Sequence, residues 1–194
     1  MAVVEVKKNR CEWVTEDDIY IRYHDEEWGR PLKDNQKLFE LFILEGFQAG
    51  LSWITVLKKR HHFRKVFDGF NPEVIANYSN DKVEELLKDP GIIRNRLKVN
   101  GAIINAKLFL EMEQESVNFS QFVWSFVGHS PKVNQFNSVK EIPALTPEAT
   151  AMSIALKKRG FKFCGPTICY AFMQASGMVN DHTSQCFLYP YSKK

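Results

Sequence analysis

The chain has 194 residues, of which 44% are apolar and 25% charged, so it is long enough to bury the core of one domain. No apolar run reaches the ~18 residues that a membrane-spanning helix requires, and the start lacks a secretory signal, which predicts a cytoplasmic protein without a membrane partner. A net charge of +3 does not by itself indicate nucleic-acid binding. Positive charge is concentrated at 58–65, 94–98 and 157–162, although each segment is also compatible with a solvated helix face.

Two helices are predicted in the first third of the chain. Asp34 is a suitable N-cap for the first of them. One face of that helix carries residues at the spacing i, i+3, i+4 and i+7, namely Leu38, Leu41, Phe42 and Glu45. The second helix is predicted to cover residues 52–67.

The remaining pattern is also helical. Signatures of an N-cap, a proline and an acidic residue mark two helix starts, Asn-Pro-Glu at 71–73 and Thr-Pro-Glu at 146–148. Apolar stripes predict further helices over 97–112 and 168–175, and Gly177 is expected to end the second. The segment 128–145 is expected to form a loop inside the domain. Because no hairpin of alternating strands appears, the predicted fold class is all-α.

The segment 157–173, KKRGFKFCGPTICYAFM, predicts two helices joined by a short loop bounded by Gly160 and Gly165. This is the outline of a helix-hairpin-helix element at about 156–177. Backbone N–H groups at the start of its second helix can hold a phosphate, and Lys162 adds attraction to DNA. An ordinary tight connection between two packed helices is the alternative interpretation.

A metal site is suggested by the segment VNDHTSQC at 179–186. The spacing of His182 and Cys186 predicts that both lie on one face of a helical turn. Cys11 and His24 can supply two further ligands, and two thiolates with two imidazoles form a closed, structural zinc site. The alternative is that the cysteines are buried apolar residues and His24 is a hydrogen-bonded core residue.

Taken together, the motifs resemble those of the DNA-3-methyladenine glycosylase I family, within the helix-hairpin-helix glycosylase superfamily. The resemblance is carried by CEWV, YHDEEWG, LFELFILEGFQAGLSW, ITVLKKR, GIIRNRLKV, FVWSFV, ALKKRGFKFCGPTICYAFMQASG and VNDH. It implies one helical glycosylase domain over 11–190, with an extension at 1–10 and a tail at 191–194. It also implies a monomer that removes 3-methyladenine from double-stranded DNA during base-excision repair.

The resemblance further implies one structural Zn²⁺ per chain and a base pocket. The implied zinc ligands are Cys11, His24, His182 and Cys186, and the implied base-binding residues are Trp13, Tyr23, Glu45 and Trp53. The residues themselves give a physical reason for the pocket, since Glu45 lies on an apolar stripe where a carboxylate without a partner is costly. Its partner is then the ligand, because N3-methylation gives adenine a positive charge. Alternatively, Glu45 caps a neighbouring helix or pairs with a basic residue, and the aromatic residues are core.

A base can reach such a pocket only if its nucleotide is flipped out of the duplex. Gly50 permits close approach to DNA, and Leu51 is an apolar residue that can fill the gap, unless it packs inward. In the hairpin, the predicted DNA contacts are Lys162, Gly165 and Thr167.

The sequence differs from many superfamily members at the position after Val179, where Asn180 replaces a catalytic aspartate. Thr167 lies near the place where bifunctional relatives keep a lysine nucleophile, which argues against lyase chemistry. A monofunctional glycosylase is therefore expected, with Glu45 as its catalytic residue and Asp181 orienting a neighbour or capping locally. The alternatives are a non-catalytic sensor of alkylated DNA and a glycosylase with a broader range, including 7-methylguanine. A purely structural zinc protein leaves the segment EGFQAGLSW unexplained.

Overall fold

The structure, a computed structural model, describes residues 8–190. Residues 1–7 of the predicted extension and the predicted tail at 191–194 lie outside this range. The first five helices are α1 Asp18–Glu26, α2 Asn35–Gln48, α3 Trp53–Val66, α4 Pro72–Ile75 and α5 Asn80–Lys88. Four more follow, α6 Arg96–Gln114, α7 Phe119–Ser125, α8 Pro147–Lys158 and α9 Pro166–Ala175. The predicted all-α class is confirmed.

Helix starts lie where the capping signatures predict them. Asp34, Asn71 and Thr146 each accept a hydrogen bond from a backbone N–H in the first turn of α2, α4 and α8. These bonds satisfy donors that have no partner within the helix, and each side chain thereby fixes the residue at which its helix begins. The predicted hairpin is formed by α8 and α9, which pack together and are joined by residues 159–165.

The segment 128–145 is mostly irregular, as predicted, but it contains a short strand. Strand β1, Lys132–Val133, pairs in parallel with β2, Val179–Asn180. The register places Lys132 opposite Val179, and a 3₁₀ turn follows at Val139–Glu141. Two residues are too few to produce an alternating pattern, so the sequence could not indicate this pairing. The pairing fixes the chain immediately before His182.

Helix α2 is the central element of the core. All its residues from 41 to 47 are buried, and it packs against α3, α6, α7 and α9. The Phe42 ring lies 5.6–6.1 Å, centroid to centroid, from three other phenylalanine rings, those of Phe119, Phe161 and Phe172. A helix buried on nearly every side places any polar residue in its interior turns inside the protein. Over residues 8–190, no helix is both long and apolar enough to cross a membrane.

One glycine joins the end of α9 to the segment after α1. Gly177 has φ +68°, and a Cβ atom added there would overlap the backbone of Arg30 and Pro31. The adjacent Ser176 carbonyl accepts a hydrogen bond of 2.9 Å from the Leu32 N–H. Glycine is therefore required at 177 for both its conformation and its small volume.

We expect Gly177→Ala to lower the free energy of unfolding by about 2–4 kcal/mol, because it combines a left-handed backbone with overpacking. Gly128→Ala is the matched control, since Gly128 has φ +64° but open space around its Cβ position. The control should cost only about 1 kcal/mol. Urea unfolding of the three proteins measures both values, and equal losses in the two variants would contradict the packing argument.

Candidate functional site

A cavity of about 280 Å³ opens between α1, α2, the start of α3 and α9. Its lining includes the four residues predicted to bind a base, Trp13, Tyr23, Glu45 and Trp53. Small-molecule sites usually occupy roughly 300–1,000 Å³, so this cavity lies at the small end of the range. Its size and aromatic lining suit one flat ring system.

The Glu45 carboxylate is the most unusual group in this cavity. The residue is only 3% exposed, and its Oε2 atom has no hydrogen-bond partner within residues 8–190. In the same part of the chain, no basic side chain forms a salt bridge with it. Burial raises the pKa of Glu45 to about 8. The two structural alternatives, capping of a neighbouring helix and pairing with a basic residue, are not observed.

The walls of the cavity are aromatic. The ring centroids of Tyr23 and Trp53 are 5.4 Å apart, and those of Trp13 and Trp28 are 5.1 Å apart. The Trp53 Nε1 atom is buried and, like Glu45 Oε2, has no partner among the described residues. Burial raises the pKa of Tyr23 well above its ordinary value. Glu45 Oε2 and Trp53 Nε1 are thus two buried polar atoms of the cavity wall that a bound base could satisfy.

Four polar or aromatic lining residues were missed by the sequence analysis, namely Tyr20, Trp28, Gln48 and Gln174. Tyr20 lies one helical turn before Tyr23 on α1, so the i, i+3 spacing could have indicated it. Gln174 is brought to the cavity only by the packing of α9, and no local pattern marks it.

Asp181 holds Gln174 in place. Its buried carboxylate accepts hydrogen bonds from Gln174 Nε2 at 2.8 Å, Tyr170 Oη at 2.5 Å and Asn134 Nδ2 at 2.7 Å. Asp181 therefore orients three side chains from two parts of the fold, α9 and the segment 128–145, and does not cap its own segment. Asn180 caps the same segment, since its side-chain oxygen accepts a hydrogen bond of 3.2 Å from the His182 backbone N–H.

The four predicted metal ligands, Cys11, His24, His182 and Cys186, converge, with their ligand atoms within 4.8 Å of one another. Cys11 Sγ is 3.5 Å from His182 Nδ1, and Cys186 Sγ is 3.4 Å from His24 Nε2. A tetrahedral zinc ion bound at the usual Zn–S and Zn–N distances requires sulfur–nitrogen separations of about 3.5 Å. The geometry of the group therefore fits zinc.

The outer nitrogen of each histidine already has a partner. His24 Nδ1 lies 2.8 Å from Asp25 Oδ1, and His182 Nε2 lies 3.2 Å from the Trp28 carbonyl oxygen. These contacts fix each ring and leave its other nitrogen directed at the thiols, as hydrogen bonds to the outer nitrogen of a ligating histidine do in metal sites. A hydrogen bond between the two thiols lowers the pKa of Cys186 and raises the pKa of Cys11.

The helical turn predicted for 182–186 is wrong. After β2 the chain stays irregular through His182 and Thr183, and a tight turn follows in which the Cys186 N–H donates to the Thr183 carbonyl at 2.8 Å. Backbone hydrogen bonds to other segments replace those of a helix, since the Ser184 N–H donates to the Phe136 carbonyl and the Phe187 N–H to the Asn9 carbonyl, both at 2.8 Å. The turn still brings both ligands to one side.

The metal-ligand group lies directly behind the aromatic wall of the cavity. The Trp13 ring meets His24 edge-on with centroids 5.3 Å apart, and Trp28 meets His182 in the same way at 4.8 Å. Trp13 belongs to a segment without regular secondary structure. The histidines therefore support two walls of the cavity as well as the ends of the chain.

The residues predicted to contact DNA lie outside the cavity, in the loop before α3 and in the hairpin formed by α8 and α9. Leu51 is 42% exposed and therefore does not pack inward, and Gly50 has φ +79° with open space around its Cβ position. In the hairpin, Lys162 and Thr167 are exposed. Gly165 is the N-cap of α9, where no side chain caps the helix start. Exposed N–H groups at such a helix start are suited to an anion.

Comparisons with known proteins agree with this geometry. A family model described as methyladenine glycosylase matches residues 13–189. DNA-3-methyladenine glycosylase 1 of Escherichia coli (strain K12) is 55% identical, over 95% of this chain and 98% of that protein. A crystal structure of 3-methyladenine DNA glycosylase I has 54% identity and a TM-score of 0.93, covering 94% of this chain and 100% of that one. A structure describing 3-methyladenine recognition by 3-methyladenine DNA glycosylase I from Staphylococcus aureus has 37% identity and a TM-score of 0.90, covering 94% and 97%.

We expect Glu45→Gln to stabilise the protein. The folded-state pKa of about 8 lies above the ordinary 4.5, so burial of this group destabilises the fold progressively as pH rises from 4.5 to 8. The full difference corresponds to about 5 kcal/mol. The stability advantage of the neutral amide should therefore grow between about pH 5 and pH 8, up to about that value.

Thermal or urea unfolding across this pH range measures the effect. Glu113→Gln, at an exposed position on α6, is the control and should show no such trend. A pH-independent difference between wild type and Glu45→Gln would contradict the burial of an ionisable group at 45.

Proposed function

Because the chain belongs to the methyladenine glycosylase family, we propose that it is a monofunctional DNA N-glycosylase of base-excision repair. It hydrolyses the N-glycosidic bond of 3-methyladenine in double-stranded alkylated DNA, releasing the base and leaving an abasic site. The observation that carries this proposal is the buried Glu45 carboxylate, without a partner, in an aromatic cavity of base size.

Glu45 selects the damaged base through its charge. N3-methylation spreads a positive charge over adenine, and a desolvated carboxylate attracts that cation far more strongly than it attracts neutral adenine. The approach of the cation favours the ionised form of a carboxyl whose pKa is about 8 in the free protein. The rings of Trp13, Tyr23 and Trp53 add stacking and cation–π attraction.

The nucleotide reaches the cavity by leaving the duplex. Leu51, exposed on its loop, fills the space that the extruded base vacates. Gly50 allows the backbone to approach the DNA closely. In the hairpin, Gly165, Thr167 and Lys162 bind phosphates of the same duplex through backbone N–H groups and positive charge.

Bond cleavage needs little further help from the protein. The alkylated base departs as a neutral molecule, so binding and strain lower the barrier and a water molecule attacks C1′. Asn180 carries no charge, and its side-chain oxygen is engaged by the His182 N–H. Without a lysine at the position near Thr167, no Schiff base forms, and the product is an intact abasic site.

We also propose that Cys11, His24, His182 and Cys186 bind one structural Zn²⁺ per chain. A bound zinc ion would neutralise the two thiolates and join the first and last segments of a single domain over 11–190. None of the four cysteines forms a disulfide, which agrees with the reducing cytoplasm in which we place the protein. We further propose that it acts as a monomer.

Release of 3-methyladenine from alkylated duplex DNA tests the proposed activity. Glu45→Gln retains the shape of the side chain but removes its charge, so we expect kcat/KM to fall by about 100-fold or more. Glu113→Gln should behave as wild type. An unchanged kcat/KM in Glu45→Gln would remove this residue from the mechanism, and failure of the wild type to release any base would leave only a non-catalytic sensor. Equal release of 7-methylguanine would indicate the broader substrate range.

Metal analysis tests the zinc proposal. We expect about one zinc per wild-type chain and almost none in Cys186→Ser, together with a lower thermal unfolding temperature. Cys169→Ser is the control, because Cys169 is equally buried but lies outside the ligand group. It should retain its zinc. Full zinc occupancy in Cys186→Ser would refute the proposed ligand set.

A further inference from the structure

Helix α6 contacts both loops to which we assign DNA binding. The wedge loop is residues 49–52, which carry Leu51, and the hairpin loop is residues 159–165. We propose that one face of α6, formed by Lys98, Gly101 and Asn105, fixes the position of the wedge loop relative to the hairpin loop, so that both engage one duplex in register. This inference rests on the proposed function, since the relative position of the loops matters only if both bind DNA.

Lys98 holds the start of the wedge loop. Its side chain is buried, and its ammonium group donates to the Phe47 carbonyl at 2.8 Å and to the Ala49 carbonyl at 2.6 Å. These carbonyls lie at the C-terminal end of α2, where acceptors lack helical partners and a positive charge is favourable. Within residues 8–190, no carboxylate forms a salt bridge with Lys98. The buried ammonium group of Lys98 thus binds the backbone where α2 passes into the wedge loop.

Gly101, one turn further along α6, receives a side chain from the hairpin loop. The Phe163 ring lies so close that a Cβ atom added at Gly101 would be 2.8 Å from it. On the other side, a Cβ atom at Gly46 of α2 would be 3.2 Å from Phe163 Cβ. Phe163 also has φ +53°, a conformation that residues other than glycine rarely adopt. It is therefore held in a notch between α2 and α6.

Asn105, in the following turn, binds the hairpin loop directly. Its Nδ2 donates to the Lys162 carbonyl at 3.1 Å, and its Oδ1 accepts from the Lys162 N–H at 2.7 Å. Both hydrogen-bonding groups of the Lys162 backbone are therefore engaged by one buried amide. The Lys162 side chain stays exposed, where it can attract a phosphate.

The three residues have the spacing i, i+3 and i+7, which places them along one side of the helix. Lys98 and Asn105 are about 10 Å apart along the axis, which equals about three base steps of B-DNA. An α-helix does not change its length, so contacts made at two points along it keep the loops at a constant separation. Helix α6 can therefore act as a spacer, with Lys98 bound to the wedge loop and Asn105 bound to the hairpin loop.

The test is designed to separate the positioning of DNA from the integrity of the base cavity. Lys98→Met retains the aliphatic stem but releases the wedge loop, and Lys107→Met is its control, because it removes an exposed positive charge from the same helix. Asn105→Ala releases the hairpin loop, and Asn100→Ala is its exposed control. Each variant is assayed for 3-methyladenine release from alkylated duplex DNA and for binding of free 3-methyladenine, followed by tryptophan fluorescence.

We expect kcat/KM on duplex DNA to fall by about 100-fold in Lys98→Met, because a displacement of the wedge loop by about an ångström can cause a loss of that size. The affinity of this variant for free 3-methyladenine should be unchanged. The loss should be mainly in kcat, since the wedge acts during base flipping. Asn105→Ala should mainly raise KM, since the hairpin binds phosphates. If Lys98 and Asn105 had only a structural role, their substitution would lower the unfolding temperature but would not affect kcat in one variant and KM in the other.

Variants that match their controls on duplex DNA would overturn the inference, as would equal losses of duplex activity and free-base affinity. If Lys98→Met does not fold, the comparison of Asn105→Ala with Asn100→Ala decides by the same criteria. If the wild type releases no 3-methyladenine, the proposed function itself fails and the inference fails with it. If the wild type releases 3-methyladenine and the variants are as active as their controls, the inference fails but the proposed function stands.

Discussion

The proposed recognition of a damaged base depends on one unfavourable arrangement, the Glu45 carboxylate, which is buried with neither a counter-ion nor a hydrogen-bond partner for Oε2 among the described residues. Glu45 can occupy this place only because α2 is surrounded by other helices and by four or more phenylalanine rings, whose burial offsets the cost of desolvating one acid. A surface carboxylate would be screened by water and would discriminate poorly between a cationic and a neutral purine. The selectivity that we propose therefore requires the same low-dielectric surroundings that destabilise the free protein.

The aromatic walls around that carboxylate need support of a different kind. Trp13 precedes α1 in a segment without regular structure, so no helix fixes its ring. Contacts with His24 and Trp28 supply the missing rigidity, because His24 is held by Asp25 and the Trp28 ring packs against His182. The metal that we propose to join the two ends of the chain would therefore also stiffen the cavity, because two of its ligands, His24 and His182, pack against Trp13 and Trp28.

Features with a local signal could be predicted from the sequence, and features created by packing could not. The capped start of α2 and the position of Glu45 on its buried face follow from helical periodicity, and the convergence of Cys11 with Cys186 follows from the resemblance. The partners of Asp181 do not, because Asn134 and Tyr170 reach it only in the folded chain. The spacing of His182 and Cys186 predicted a helical turn that does not form, because the Ser184 N–H bonds to the Phe136 carbonyl of another segment.

The same helix carries both halves of the proposed recognition event. Glu45 lies one turn before the end of α2, and the wedge loop with Leu51 continues from that end. Lys98 binds the carbonyls at this junction, so α6 restrains the loop that carries Leu51. Lys98 itself does not line the base cavity. A shift of the wedge loop would have to move against two hydrogen bonds to a buried ammonium. In the proposed mechanism, extrusion and selection of the base therefore take place at the same end of α2, with the wedge loop restrained by α6 and the carboxylate held by the burial of α2 itself.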